Sequence, residues 1–304
     1  LPFLKYIYLM IVSTETAGLG NRIKSWVSAM RLDPDVRVHW QMNENMPAPF
    51  SQLFINNCNL DSIPKYANTH KSWRFLILPE DEPHLPRGFS TVGSATHPVI
   101  RGTAKAWWSL MGKPSDRYRY MIFPKTHSKR STRPDARHID LEYERIPKYF
   151  RDIYVPLFKK IKIQPKIVER VNDWSHENLD ENVIGVQVRT WRDDLRRHKK
   201  YYKPAVKRLF HLMENTQNKN RFLIVSDSDD VILSLIRRYG NKRILHFPRS
   251  TPRFESYQSY DGTAEDLIDM LILSKTHRLF SSYLSTFSEA AWWFGGAQAR
   301  VWVF

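Results

Sequence analysis

The sequence predicts an α/β protein: two doubly wound halves with parallel sheets facing a ligand cleft. Three observations predict it. Short apolar strands alternate with amphipathic helices in the opening segment and again, more regularly, from position 183 onward. The chain has 304 residues, too many for one ordinary core and suited to two domains. Its glycine-containing and polar segments fall just after strands, where open parallel sheets hold their ligands.

The elements follow in order. Residues 4–12 are apolar and aromatic, with β-branched residues near the end, and read as a strand. A glycine turn follows, after which Ile23, Trp26, Val27 and Met30 recur at helical spacing. Residues 36–40 alternate strictly and complete a β-α-β unit. Residues 43–101 are rich in Pro, Asn and Ser and read as loops with short strands, 73–78 among them. A helix is expected over 104–111, stopped by Gly112, and a strand over 120–123. The basic stretch 125–137 reads as a solvated loop or as a mobile loop over an anionic ligand. Residues 141–161 read as helical, broken or kinked by Pro147 and Pro156. The polar run 173–182 suggests a boundary between domains of 1–175 and 176–304. Beyond it, strands at 183–189, 222–226, 243–247, 278–282 and 300–303 alternate with helices at 202–213, 229–239, 263–274 and 287–295.

Composition narrows the function classes. Apolar residues make up 42% and charged residues 26%, which excludes a disordered chain. The single cysteine, Cys58, excludes an internal disulfide and a zinc ribbon, and reads as a bystander. No apolar run approaches the roughly 18 residues of a membrane span. The first residue is Leu1, a start that suits a piece of a longer chain, and no secretion signal is visible, so a cytoplasmic location is expected. A net charge of +16 attracts an anion: nucleotide, nucleic acid, membrane or acidic glycan. No histidine falls in a metal-ligand spacing, and neither G-x-S-x-G nor a Walker A lysine is present. Trp107, Trp108, Trp292 and Trp293 read as core or cleft wall.

Five segments carry candidate chemistry. Gly18-Leu19-Gly20-Asn21-Arg22 joins a strand to a helix; its glycines allow close backbone approach and the helix start offers N–H groups to a phosphate, or the segment is only a tight turn. The full G-x-G-x-x-G pattern is absent, since Ile23 holds the third glycine's place. The strand beginning Ile184-Gly185-Val186-Gln187-Val188 ends in Arg189, followed by Thr190, Trp191, Arg192, Asp193 and Asp194. A guanidinium fork at a strand end can grip a diphosphate and neutralise charge on a leaving phosphate. Asp193 or Asp194 can take a hydroxyl proton. An exposed turn with an Arg–Asp surface pair is the equal alternative. The turn Ser226-Asp227-Ser228-Asp229-Asp230 is either a D-x-D site for a divalent metal on a nucleotide or, by preference, a cap by Asp227 or Asp229 on the next helix. Asp269 sits inside an apolar run, 267–273, so its carboxylate is expected to be buried and to need partners; guanine's adjacent N1–H and N2–H donors are one such pair, and a loop backbone is another. Thr263 is the expected N-cap there, with Asp266 completing a capping box. Last, Ser285, Thr286 and Ser288 precede the final helix as a phosphate cradle or as plain caps.

Taken in order, these segments resemble the GDP-fucose-dependent fucosyltransferase superfamily, the α1,6-fucosyltransferases in particular, over Gly18-Leu19-Gly20-Asn21 and nearly all of 183–295. In that family a strand ending I-G-V-H-x-R carries the essential arginine on the β-phosphate, and Arg189 matches it. Gln187 stands where the family has histidine, and Thr190 where the α1,6 pattern has a second arginine. The resemblance implies Asp194 or Asp193 as base and a metal-free role for the V-S-D-S-D-D turn. It implies Asp269 as a guanine contact and Ser285, Thr286 and Ser288 as a phosphate loop. Gly18, Gly20, Asn21, Arg22, Gln187, Arg192 and Asp227 complete the implied donor-binding set. The implied architecture is GT-B, with two Rossmann-like domains, the acceptor on the first and the donor on the second. The implied reaction is an inverting transfer of a 6-deoxyhexose, fucose from GDP-fucose, to a glycan hydroxyl, with no cofactor, metal or nucleic-acid partner. Two alternatives stand beside it. The Gln187 and Thr190 departures suit another donor, a rhamnose nucleotide or a UDP-sugar. The charge of +16 and the 125–137 stretch suit a protein that binds nucleic acid or an acidic glycan.

Overall fold

The structure, a computed structural model, describes residues 10–84, 137–139, 146–254, 259–283 and 285–304. The expectations over 4–9, 104–111, 120–123, 125–136 and 141–145, with Trp107 and Trp108, lie outside the described residues. The chain divides into two compact units. One comprises 1–17, 21–41 and 56–141; the other comprises 18–20, 42–55 and 142–304.

The first unit holds a short parallel sheet. Strand β1 (Ile11–Ser13) lies between β2 (Arg37–Val38) and β3 (Asn68–His70), both parallel to it. The expected strand at 36–40 is thus ladder-bonded only at its centre. Helix α1 (Leu19–Met30) follows β1, and its expected apolar face, Ile23, Trp26, Val27 and Met30, is buried. Its other faces are buried too, so polar groups there need partners. Ser25 bonds Ser13 at 3.1 Å, Ser28 donates to the Arg74 carbonyl, and the Lys24 ammonium lies over the Trp73 and Phe75 rings. A second small sheet pairs β4 (Phe75–Ile77) antiparallel with β5 (Arg137–Ile139).

The second unit is built on five parallel strands. In chain order they are β6 (Val183–Val188), β7 (Arg221–Ser226), β8 (Ile244–Leu245), β9 (Arg278–Ser281) and β10 (Arg300–Val303). Their spatial order is β10-β9-β6-β7-β8. The first strand of the unit is central, the next two extend one way and the last two the other. This is the doubly wound order, and it reverses between β6 and β9. β6 is buried at all six positions, as a central strand covered on both faces must be.

The helices are α2 (Lys148–Lys159), α3 (Pro165–Asn178), α4 (Lys203–Glu214), α5 (Asp229–Tyr239), α6 (Tyr260–Leu273) and α7 (Thr286–Phe294). Helix α2 starts after Pro147 as expected but runs through Pro156, which does not break it. Its buried residues Phe150, Tyr154 and Phe158 pack it in place, with Phe158 stacked on Trp293 at 5.8 Å, which outweighs the lost backbone bond. Polar residues 173–178 complete α3, whose buried residues are Ile167, Val171 and Ser175. Trp292 and Trp293 are core, the Trp292 indole donating to the Ala299 carbonyl at 2.9 Å. Among the described residues no helix is long and apolar enough to cross a membrane.

Candidate functional site

The crevice outside the carboxyl ends of β6 and β9, where strand order reverses, is where this topology binds ligands. The chain puts a dense set of polar groups there. Arg189 follows β6 directly, and its backbone N–H donates to the Ser282 hydroxyl at 2.8 Å. Ser282 in turn donates to the Gln187 carbonyl at 3.0 Å, tying the ends of β6 and β9 together. On the other side, Ser226 at the end of β7 donates to the Val188 carbonyl. Asp227 accepts from the Thr190 N–H at 2.8 Å and pairs with the Arg189 guanidinium at 3.1 Å. The Arg189 side chain is 40% exposed, so its charge faces solvent while its base is fixed from three strands. Gln187, two residues back on the same face, is buried, with its Oε1 unpartnered.

Trp191 holds φ at 56°, a left-handed value that costs a non-glycine residue about 1–2 kcal/mol. Its ring lies 5.2 Å from the Arg189 guanidinium and 5.0 Å from that of Arg197. Tyr202 is half-buried, and burial together with the negative charge of Asp227 raises its pKa. The carboxylates expected as base diverge. Asp194 caps the short helical turn Leu195–Arg197, accepting from the Arg197 N–H at 3.0 Å and pairing with that guanidinium. Asp193 and Arg192 are exposed, Arg192 lying over the Phe254 ring.

The cap expectations for the next two helices are corrected. Ser228, not Asp227 or Asp229, precedes α5 and makes no side-chain cap bond. Asp227 is held by Arg189, and Asp229 by Arg253 at 2.8 Å. Helix α6 starts at Tyr260, capped by Ser259 through the Gly262 N–H, so Thr263 is already helical and donates to the Ser259 carbonyl. Ser285 does cap α7, through the Ser288 N–H. Ser288 is buried and bonds Ser281 at 2.6 Å, which leaves Thr286 the more open hydroxyl of the three. A Cβ on Gly20 would lie 2.7 Å from the Thr286 carbonyl oxygen, so only glycine permits this approach. Gly18 has open space around it. In the first unit, Arg22 is buried and spends its guanidinium on the Ala17, Gln41 and Thr16 carbonyls. Burial lowers its pKa to about 10. The Asn21 Oδ1 is buried without a partner.

Asp269 is buried, as expected, and has partners the sequence did not name. Arg249, on the loop after β8, approaches it at 3.1 Å and Arg253 at 3.9 Å. Burial pushes its pKa up to about 6 against the pull of both arginines. Its Oδ2 faces Arg249, and its Oδ1 has no partner. Arg249 also pairs with Asp266 at 2.8 Å and donates to the Gly262 carbonyl. Glu265 accepts from the Ser250 and Thr251 N–H groups; these bonds outweigh its desolvation and hold its carboxyl below the usual range. The loop is thus clamped to α6 by charge. Cys58 is partly buried and its thiol is pushed up to about 11, away from nucleophilic use.

Arg249 and Arg253 were not anticipated, and Ser282 and Trp191 lie in segments singled out from the sequence without the roles they take here. Only the arginines had a signal, the need of a buried carboxylate for a cation. No family model and no curated protein matches the chain. Among solved structures, the chain is similar to NodZ α-1,6-fucosyltransferase soaked with GDP-fucose, at 16% identity and a TM-score of 0.50, covering 94% of this chain and 92% of that one. A selenomethionine structure of the fucosyltransferase NodZ from Bradyrhizobium (17% identity, TM-score 0.49, 93% and 91% covered) and POFUT1 in complex with GDP-fucose (11%, 0.47, 97% and 97%) also align. With its parallel sheets, doubly wound second unit and near-complete alignment to the first of these, the chain has the α/β fold of the GT-B fucosyltransferases.

Proposed function

We propose that this protein is a glycosyltransferase that moves a 6-deoxyhexose, fucose from GDP-fucose, to a glycan hydroxyl with inversion and without a metal ion. One observation carries the reading. Arg189 stands at the reversal point of the sheet, fixed through its backbone by Ser282 and through its guanidinium by Asp227, yet open to solvent. A cation held this way is set to take up charge on a diphosphate as the bond from the anomeric carbon to oxygen breaks. Because the fork is already oriented, little reorganisation is needed when charge develops. Thr286, beside Gly20 at the start of α7, adds helix N–H groups toward the same anion.

The acceptor hydroxyl attacks the anomeric carbon from the face opposite the diphosphate and gives its proton to Asp193 or Asp194. Asp193 is the more exposed of the two. Asp227 and Asp229 face different arginines rather than one another, which supports a metal-free role for the D-S-D turn. Asp269 contributes to base recognition through its unpartnered Oδ1, with Arg249 holding the other oxygen. A nucleotide-sugar-binding segment over 176–304 with an acceptor-side segment over 1–175 fits this reading.

A donor screen tests it. Transfer or hydrolysis of GDP-fucose, with GDP released and activity retained in EDTA, is the expected result. Dependence on Mn²⁺ would return the D-S-D turn to metal binding. Gln187 at the family's histidine position favours a second reading, another nucleotide. Stronger thermal stabilisation by UDP than by GDP would select it.

A further inference from the structure

We propose that the face running from Trp191 along helix α4 to Lys207 binds a linear anionic glycan, a chain bearing uronate carboxylates or sulfates, as the acceptor. This rests on the transferase reading above. Immediately after the Arg189 strand end, the chain enters a helical turn at Leu195–Arg197, a π-helical segment at His198–Tyr202 and then α4. Lys199, Lys203 and Lys207 recur at four-residue intervals along this rod, and all three are exposed. At 1.5 Å per residue they span about 12 Å. The buried residues of α4, Ala205, Leu209 and Met213, keep the same interval two residues out of step, so the lysines point away from the core. Arg192, Arg196 and Lys200 are also exposed, and none of these six cations forms an ion pair among the described residues. Asp193 and Asp194 interrupt the run at its start, but from Leu195 to Met213 the sequence has no carboxylate, and such a stretch suits repeated negative charge rather than one small anion.

Aromatic rings lie at the start of the row and off the lysine face, Tyr201 keeping step with the buried Ala205, Leu209 and Met213. Trp191, Tyr201 and Tyr283 form a partly exposed run, with ring centres 6.1 and 5.6 Å apart. Trp191 is held there by left-handed backbone, and Tyr201 by the π-helical segment; both are costly local conformations that cluster at functional sites. Trp191 offers a flat apolar face to a sugar beside Arg189, while the lysines take charges farther along the chain. Because the row begins on the Arg189 strand end, a chain lying along it brings a hydroxyl toward the departing diphosphate.

Binding of four probes to the full chain at about 0.15 M salt tests the proposal. They are an oligogalacturonate, a heparin-derived oligosaccharide, a neutral chitooligosaccharide of equal length and a single-stranded RNA. At least one of the two anionic glycans should bind about tenfold or more tightly than the neutral chain, the tighter one identifying carboxylate or sulfate as the charge. K199Q/K203Q/K207Q should lose about tenfold or more of that affinity and flatten its salt dependence, whereas K199R/K203R/K207R should retain it. Equal binding of neutral and anionic chains, or an unaffected glutamine variant with wild-type melting temperature, would overturn the proposal. Tighter binding of RNA than of either glycan would overturn it in favour of a nucleic-acid surface. GDP titrated into the same samples reports separately on the donor reading. Anionic-glycan binding without any GDP binding sinks the transferase and the acceptor role together, while GDP binding without glycan preference sinks only this inference.

Discussion

The second unit contains two arginine–aspartate centres that look alike in sequence and differ in burial. At the ends of β6 and β7, Arg189 meets Asp227 with its side chain 40% exposed. Behind β8, Arg249 meets Asp266 and Asp269 with its side chain 2% exposed. A guanidinium that keeps a wet side can change partners when a ligand arrives. One that is dry and shared among several carboxylates cannot do so without leaving charges stranded. Position relative to solvent, more than residue type, separates the centre suited to chemistry from the one that fastens a loop.

That contrast can be broken most forcefully at Arg249. Replacing it by alanine removes the shared cation of Asp266 and Asp269, leaving buried Asp269 only the more distant Arg253, and urea unfolding should show a loss of about 3–5 kcal/mol. Arg189→Ala should behave in the opposite way. Transfer should fall by about 10²–10³-fold while the melting temperature stays within a few degrees of wild type. A large stability loss at Arg189, or near-normal turnover, would erase the distinction.

Protonation sharpens it further. The fold favours protonated Asp269, so the native state takes up a proton between the ordinary carboxylate range and about pH 6. Stability from this group is therefore greatest on the acid side and declines as pH rises toward 6. Against Asp269→Asn, the difference should amount to roughly 2–3 kcal/mol between about pH 4 and pH 6.5. Asp229 and Glu265 act with the opposite sign. Hydrogen bonds from Arg253, and from Ser250 and Thr251, hold them below their usual values despite burial, so their contributions fade as pH drops beneath that range. The smallest expected effect is at the start of α7. Ser285→Ala removes one cap bond and should cost about 1 kcal/mol by denaturant unfolding.

The regular half of the fold was legible because its strands are short apolar runs between amphipathic helices; 229–239 and 300–303 come out as read. The strand at 36–40 shrank to two ladder-bonded residues, because alternation sets which side chains face inward but not how far a neighbouring strand extends. The helix continues through Pro156 because packing of three buried aromatics outweighs the break that proline favours. At the site, Arg189 was legible from its place after a buried strand. Asp227 was misread as a cap because Asp is favoured there whatever it touches, and its true partner is 38 positions earlier. The Ser282 bridge and the Trp191 backbone leave no trace in local pattern, since both exist only once β9 lies beside β6.

The contact of Gly20 with Thr286 bears on biosynthesis. It joins residues 266 positions apart, and residues 42–55 likewise belong with the later unit. Synthesis must therefore pass position 286 before this unit can close. Such distant pairings are slow to form, and until they do, apolar strand surface stays open to aggregation and to chaperones.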